Sequence, residues 1–239
     1  MTRVQVPAAV RPVLQAVGRT AASLRARAYA VGGCVRDWLL ALPTIEDLDV
    51  TVEGDGLGVA QAAAQALGGG GVVFHAQFGT ATVRVPRAGG ALRVDVATCR
   101  KETYAKPAAY PKVAPGRLMD DLARRDFSIN AMALDLDAAR FGELIDPFGG
   151  AADLQTRLLR VLHSRSFLDD PSRLLRGVRL ATRFRLAWEP DTAAAAAAAV
   201  RAGALGWLNA GRVRKELERL AGELDPAACA RALARLLEV

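Results

Sequence analysis

The sequence YAVGGCVRDWLL, residues 29–40, joins two kinds of secondary structure at a pair of glycines. The apolar run Ala28–Val31 before the glycines predicts a β-strand. The segment Val35–Leu42 after them predicts a helix, which Pro43 ends because proline cannot continue it. A strand followed directly by a helix is typical of an α/β domain, and we expect that class here.

The two glycines, Gly32 and Gly33, suggest a binding site for phosphate. Without a Cβ atom, the backbone can turn sharply and approach a ligand closely. The N-terminus of the following helix offers free N–H groups to an anion, and Arg36 in its first turn can reach the same anion. The alternative is a plain strand–helix turn that requires glycine.

A second motif, IEDLDVTV over Ile45–Val52, alternates polar and apolar residues and predicts a strand. This period places Asp47 and Asp49 on one face, where two carboxylates repel unless a cation separates them. Mg²⁺ prefers a few carboxylate oxygens together with substrate phosphates, so we expect these two residues to bind it. Asp95, in the strand-like segment RVDVAT, is the candidate third carboxylate. The alternatives are an edge strand with a wet acidic face and, for Asp95, a structural role.

The remaining pattern divides the chain into a mixed first part and a helical second part. For the first part it predicts helices over 8–27 and Gly58–Leu67, strands over Val72–His75, Thr80–Val85 and Ala91–Ala97, a loop over 100–118, and a helix from Asp120 onward. A turn-rich joint covers Phe141–Gly150. The pattern after the joint predicts helices over 151–157, 171–187, 191–203, 211–222 and 226–238. We therefore expect a head domain at 1–147 and an all-α domain at 148–239.

Composition excludes several classes of protein. The chain has 239 residues, a net charge of +7 and 51% hydrophobic residues, which are ordinary values for a globular protein. Three scattered cysteines argue against a disulfide framework or a structural zinc site. No long apolar stretch free of charge predicts a membrane span, and the N-terminus lacks the pattern of a secretory signal, so we expect a cytoplasmic protein without a membrane partner.

The order of these motifs leads to a family. GGCVRD followed by DLD resembles the class II tRNA nucleotidyltransferases and bacterial poly(A) polymerases, within the DNA polymerase beta superfamily. Further segments are similar to that family in the same order, namely DDLARRDFSINAMALDL (120–136), LIDPFGGAADLQTRLLRVL (144–162), FLDDPSRLLRGVRLATRF (167–184) and GRVRKELERL (211–220). The resemblance implies an α/β head of the polymerase beta type, a mixed sheet with flanking helices, followed by an all-α neck.

The resemblance also implies roles for individual residues. Two cations, Arg124 and Arg125, would meet a triphosphate, and Asp126 would hold one of them or accept from the ribose. Asn130 lies one turn further along the predicted helix, on the face of Asp126. The remaining residues lie in 167–184: Asp170 and Arg173 would select the base, and Arg176 and Arg179 would support the nucleotide.

The implied activity is transfer of CMP, AMP or both from CTP and ATP to the 3′ end of tRNA, with Mg²⁺. Cytosine and adenine each present an amine donor beside a ring acceptor, which an Asp–Arg pair can match without a template. The alternatives are a poly(A) polymerase, a non-catalytic RNA-binding paralogue, or half of a split enzyme. Asp169-Asp170 replaces the family's usual Glu-Asp. Family members continue past the neck, so we expect a truncated neck, with a second copy or a helper subunit helping to hold tRNA.

Overall fold

The computed structural model describes residues 2–42, 46–68, 71–75, 79–87 and 90–238. It divides into two compact units. The first, here called the sheet unit, comprises Met1–Lys101, Val113–Arg125 and Asn130–Ala151. The second, the helical unit, comprises Glu102–Lys112, Asp126–Ile129 and Ala152–Val239.

The strands are short and most of them precede residue 146. In chain order they are β1 (Arg27–Val31), β2 (Asp47–Glu53), β3 (Val72–His75), β4 (Thr80–Arg87), β5 (Gly90–Thr98), β6 (Arg100–Thr103), β7 (Lys112–Pro115), β8 (Ala133–Asp135), β9 (Leu144–Ile145), β10 (Leu158–Leu159) and β11 (Ala187–Trp188). The helices are α1 (Arg11–Ser23), α2 (Gly33–Leu39), α3 (Gly56–Ala66), α4 (Leu118–Ala123), α5 (Gly150–Thr156), α6 (Ser166–Asp169), α7 (Ser172–Phe184), α8 (Pro190–Arg201), α9 (Ala210–Ala221) and α10 (Pro226–Leu237).

A seven-stranded sheet forms the centre of the sheet unit, in the order β3-β4-β5-β2-β1-β8-β9. Only β2 and β5 pair in parallel, and the other neighbours in this sheet are antiparallel. Because β2 and β1 lie side by side at its middle, the DLD strand and the strand before the two glycines are neighbours. The expected mixed sheet is confirmed.

Helices α1 and α3 flank this sheet and bury its apolar side chains. Leu14 of α1, Leu48 of β2 and Leu134 of β8 are fully buried. The carboxylate of Asp55 accepts a hydrogen bond from the Gly58 N–H at 2.9 Å, which caps the N-terminus of α3. The expectation of flanking helices is therefore confirmed as well.

Two local predictions are wrong. The segment predicted as a loop over 100–118 contains β6, β7 and the start of α4, and β6 and β7 form a separate two-stranded sheet. The helix predicted from Asp120 through the RRDF motif ends at Ala123, and a 3₁₀ turn at Ser128–Asn130 and strand β8 follow it. Tertiary pairing overrides local preference here, since β8 hydrogen-bonds with both β1 and β9.

The helical unit consists mainly of α6 to α10. The helices predicted over 171–187, 191–203, 211–222 and 226–238 are observed as α7, α8, α9 and α10. The two-residue strands β10 and β11, which pair in parallel, depart from the expected all-α pattern. A Cβ atom on Gly177 of α7 would lie 2.6 Å from Trp188, so only glycine permits this close packing.

Candidate active site

The glycine turn brings the backbone of β1 close to a distant arginine. Gly32 has φ +77°, a conformation that favours glycine, and it precedes the first residue of α2. A Cβ atom at this position would lie 2.7 Å from Nη1 of Arg125. That nitrogen also donates to the backbone carbonyl of Asn130 at 3.3 Å. Gly32 is therefore what allows the Arg125 guanidinium to lie against the turn, while Gly33 is the first residue of α2.

Asp37 and Asn130 hold the buried side chain of Arg36. Its Nε and Nη2 atoms donate to Oδ1 of Asp37 at 2.8 and 2.7 Å, and its Nη1 atom donates to Oδ1 of Asn130 at 2.7 Å. Asn130 lies in the 3₁₀ turn, and the predicted helix that would have put it one turn beyond Asp126 is absent. The structure thus places Asn130 beside Arg36.

A fully buried carboxylate, Asp121, holds the two arginines of the RRDF motif. Its Oδ1 atom accepts from Nη2 of Arg124 at 2.7 Å, and its Oδ2 atom accepts from Nη2 of Arg125 at 3.1 Å. Burial raises the pKa of Asp121, but the two guanidinium groups outweigh burial and the net pKa is lowered. Sequence reasoning missed this residue, although its spacing of three and four from the arginines was a usable signal.

The acidic edge of the sheet lies on β2 and β5. In the parallel pairing Asp49 is opposite Asp95, and Asp47 is opposite Arg93. Asp47 and Asp49 are exposed on one face of β2, and in the described part of the chain neither side chain accepts a hydrogen bond. Asp95 is different, because it accepts from Thr82 Oγ1 at 2.6 Å and pairs with Arg93 Nη2 at 2.7 Å.

The surroundings of Asp49 disfavour its negative charge. Although solvent reaches the carboxylate, protein packs closely around it, and this desolvation raises its pKa. Arg125 opposes the increase, whereas Asp95 and Asp47 add to it. A cation between Asp47 and Asp49 would relieve this repulsion.

The two exposed carboxylates fit a magnesium ion as a pair. Mg²⁺ is commonly held by one or two carboxylates together with substrate phosphates, so Asp47 and Asp49 supply a sufficient protein contribution. Within the described ranges, no cluster of three or more His, Cys, Asp or Glu side chains has the arrangement of a metal site. Asp95 binds Arg93 and Thr82, so it would have to release one of them to act as a third ligand.

In the helical unit, the predicted base-selecting residues are both anchored. Oδ1 of Asp170 accepts from Ser172 Oγ at 2.6 Å and from Arg212 Nη2 at 2.5 Å. Arg173 is buried, and its Nη1 atom donates to Ser166 Oγ at 2.6 Å. The helix after Pro171 begins at Ser172, so both residues lie at the start of α7.

Arg176 and Arg179 of α7 form ion pairs within the same unit. Arg176 donates through Nε and Nη2 to Oδ2 of Asp126, at 2.9 and 2.6 Å, and this carboxylate raises the pKa of the guanidinium. Arg179 donates to Glu223 at 3.1 Å. The structure thus joins Asp126 to Arg176, 50 residues away in the sequence, a contact that the sequence pattern did not reveal.

The comparison with known families settles the membership of the chain. Residues 28–160 match the family described as the poly A polymerase head domain. The chain belongs to this family. The match covers β1 to β10, including the glycine turn, the acidic edge and Asp121 with its two arginines.

Individual relatives match this chain over more residues than the family does. The A-adding tRNA nucleotidyltransferase of Halalkalibacterium halodurans is 46% identical over 90% of this chain and 49% of its own length. The CC-adding tRNA nucleotidyltransferase of Deinococcus radiodurans is 47% identical over 67% of this chain and 42% of its own length. The chain thus spans about half the length of these relatives.

A solved structure of a CCA-adding enzyme in an apo form has the same fold. It superposes with a TM-score of 0.90 at 36% identity, over 99% of this chain and 57% of that protein. The similarity extends past the family match and includes the helical unit. No helix in the described part of this chain has the length and apolarity to cross a membrane.

Proposed function

We propose that this chain is the catalytic part of a tRNA nucleotidyltransferase, which transfers CMP, AMP or both from CTP and ATP to the 3′ end of tRNA. The observation that carries the proposal is the pair of exposed carboxylates, Asp47 and Asp49, on the strand beside the Gly32 turn. The names of its relatives, A-adding and CC-adding tRNA nucleotidyltransferases, support the same reaction.

The reaction is a two-metal phosphoryl transfer in which the terminal 3′-hydroxyl of tRNA attacks the α-phosphorus of the nucleotide. The 3′-hydroxyl oxygen forms a bond to the α-phosphorus and its proton passes to water, while the bond between the α-phosphorus and the bridging oxygen breaks and pyrophosphate leaves with that electron pair. Asp47 and Asp49, with Asp95 as the further candidate, would hold magnesium, which when bound supplies positive charge for the attacking and leaving oxygens.

The residues of the glycine turn and the RRDF motif would bind the triphosphate. The backbone at Gly32 and Gly33 leaves room for phosphate oxygens, and the guanidinium of Arg125 lies against that turn. Arg124 and Arg125 are held in place by Asp121, so they are positioned before a substrate arrives. Arg36 and Asn130 complete the proposed triphosphate-binding group through their mutual hydrogen bond.

The residues at the start of α7 would select the base. Asp170 would accept from the exocyclic amine of cytosine or adenine, and Arg173 would donate to the adjacent ring acceptor. Guanine and uracil present a carbonyl where Asp170 requires a donor, so GTP and UTP would be rejected. Arg176 and Arg179, with Asp126, would support the nucleotide and the ribose.

The test is nucleotide incorporation on three tRNA transcripts that end before CCA, after C and after CC. Each is incubated with labelled CTP, ATP, GTP or UTP and Mg²⁺, with Asp49→Ala as the inactive control. Addition of one to three C or A residues that the variant loses supports the proposal. A long A tail would favour a poly(A) polymerase, and incorporation of nothing would favour a non-catalytic RNA-binding paralogue or a split enzyme.

The domain division at residue 147, the cytoplasmic location and a second copy or helper subunit stay predictions. Size-exclusion chromatography with light scattering, with and without tRNA, tests the self-association. A monomer that still adds nucleotides to tRNA would contradict the expectation of a second subunit.

A further inference from the structure

The carboxylate of Asp170 is anchored through one of its two oxygens. Its Oδ1 atom accepts three hydrogen bonds, from the Ser172 N–H at 3.0 Å, from Ser172 Oγ at 2.6 Å and from Arg212 Nη2 at 2.5 Å. Within the described residues, Oδ2 of Asp170 accepts none. The carboxylate therefore has a fixed orientation, with one oxygen occupied and the other available to a ligand.

Arg212 is in turn fixed from a second direction. Its guanidinium lies 5.8 Å from the ring centroid of Tyr110, within the range of a cation–π contact. The Tyr110 hydroxyl accepts from Asn209 Nδ2 at 3.2 Å, and the Asn209 side chain accepts from the Arg212 N–H at 2.9 Å. Arg212 is thus held at the first turn of α9 between an aromatic ring and the Asp170 carboxylate.

We propose that Arg212 is the positioning residue that sets the base selectivity of Asp170. The inference rests on the proposed function, because it assumes that Asp170 contacts the base. An Asp170 side chain that keeps Oδ1 on Arg212 presents Oδ2 as an acceptor in one direction only. A carboxylate that is free to rotate could adapt to other base edges, so loss of Arg212 relaxes the rejection of uracil and guanine.

Three variants of α9 test this role. Arg212→Gln removes the guanidinium, and Arg212→Lys keeps a donor and a charge but loses the planar fork. Arg214→Gln is the matched control, because Arg214 is an exposed arginine on the same helix and pairs only with Glu218 in the described structure. For each, equilibrium binding and steady-state incorporation are measured with CTP, ATP, UTP and GTP, together with thermal unfolding.

We expect Arg212→Gln to lower the preference for CTP and ATP over UTP and GTP about ten-fold, mainly through KM, as expected for loss of one oriented base contact. Arg212→Lys should recover part of the preference, and Arg214→Gln should keep all of it. In an Asp170→Ala background, Arg212→Gln should change the preference no further, because the residue that it positions is gone.

Several outcomes would overturn the inference. If Arg212→Gln kept the wild-type preference while the wild type selected C or A, Arg212 would have no positioning role and the proposed function would stand. If Arg212→Gln weakened all four nucleotides equally with a lower unfolding temperature, its role would be structural. If the wild type bound the four nucleotides without preference, the inference and the proposed base selection would both fail.

Discussion

The acidic edge of the sheet unit and the predicted nucleotide-contacting residues in and just before α7 of the helical unit differ in whether their charges are paired. On β2, the side chains of Asp47 and Asp49 accept no hydrogen bond in the described part of the chain. On α7, each of the corresponding charges has a partner within its own unit, such as Arg212 for Asp170 and Asp126 for Arg176. Repelling carboxylates are suited to an external cation, whereas paired charges are suited to holding a fixed orientation.

The largest effect that the comparison predicts is on activity at the acidic edge. Asp49→Asn should lower nucleotide incorporation at least about a thousand-fold, because a metal ligand supplies several kcal/mol of transition-state stabilisation. Its thermal stability should stay the same or rise, since the folded protein disfavours the Asp49 charge. The measurements are single-turnover rates and thermal unfolding.

The matched control is Glu46→Gln, which changes an exposed acid just before β2. It should keep the wild-type rate. If Asp49→Asn destabilised the fold and kept its activity, the acidic edge would have a structural role. That result would contradict the interpretation that its unpaired carboxylates bind a cation.

Replacing the buried carboxylate of Asp121, in the same unit, should lower the stability of the fold, in contrast to replacing that of Asp49. Asp121→Asn removes the buried charge that pairs with Arg124 and Arg125 and should lower the free energy of unfolding by about 3 kcal/mol at pH 7. Because the folded pKa of Asp121 is lowered, its ion pairs stabilise fully above the ordinary carboxyl pKa, and the stabilisation disappears as the pH falls through the lowered value.

Urea unfolding of the wild type and Asp121→Asn at pH 7, 5 and about 3 checks this sign. The difference between the two proteins should be nearly constant from pH 7 to 5 and become smaller below about pH 4. A difference that increased on acidification would mean that the folded protein favours the protonated carboxyl.

The ion pair between Asp126 and Arg176 of α7 should contribute less to the free energy of unfolding than the pairs of Asp121 do. Asp126→Asn removes a charge that pairs with Arg176 and should lower the free energy of unfolding by about 2 kcal/mol, less than at Asp121 because Arg176 is partly exposed. Glu218→Gln, which breaks an exposed pair with Arg214, should cost less than about 0.5 kcal/mol. Equal costs in urea unfolding would contradict the role of burial.

The smallest effect concerns the glycine turn. Gly32→Ala combines an unfavourable φ with a Cβ 2.7 Å from Arg125, so KM for the nucleotide should rise about ten-fold and stability should fall by about 1 to 2 kcal/mol. Gly68→Ala is the control, because Gly68 has φ +96° and no heavy atom within 4 Å of the added Cβ. Gly68→Ala should lower stability and leave KM unchanged. If Gly68→Ala also raised KM, backbone strain alone would explain the rise in KM of Gly32→Ala, without the contact with Arg125.

Periodicity was sufficient to predict the regular elements. The DLD alternation predicted β2, and the apolar and arginine spacing along 171–187 predicted α7. Each pattern places the apolar side chains on one face of the element, and that face is the one that packs against the core. The start of the predicted strand, at Ile45, lies outside the described residues. The segment around Asn130 was predicted wrongly, because its conformation depends on pairing with β1 and β9, which a local pattern does not contain.

In the candidate site, too, the residues that belong to a recognisable motif were predicted, and those that act through a tertiary contact were not. The glycines, the DLD carboxylates and the RRDF arginines were predicted as site residues from their own motifs. Asp121, Asp37 and Arg212 were missed, because each acts by contacting a residue that is already in a motif. The pairing of Asp95 with Arg93 was also missed, although residues two apart in a strand lie on the same face.

The single parallel pairing in the sheet, between β2 and β5, has a consequence for how the protein folds. Asp49 and Asp95 become neighbours only after the 45 residues between them, including α3 and the β3–β4 pair, have been enclosed in a loop. Closing so long a loop costs entropy before the contact repays it, so such pairings form slowly. During synthesis, the Asp49–Asp95 pairing must therefore form after α3 and the β3–β4 pair, and a nascent chain that ends before β5 has the DLD strand paired with β1 alone.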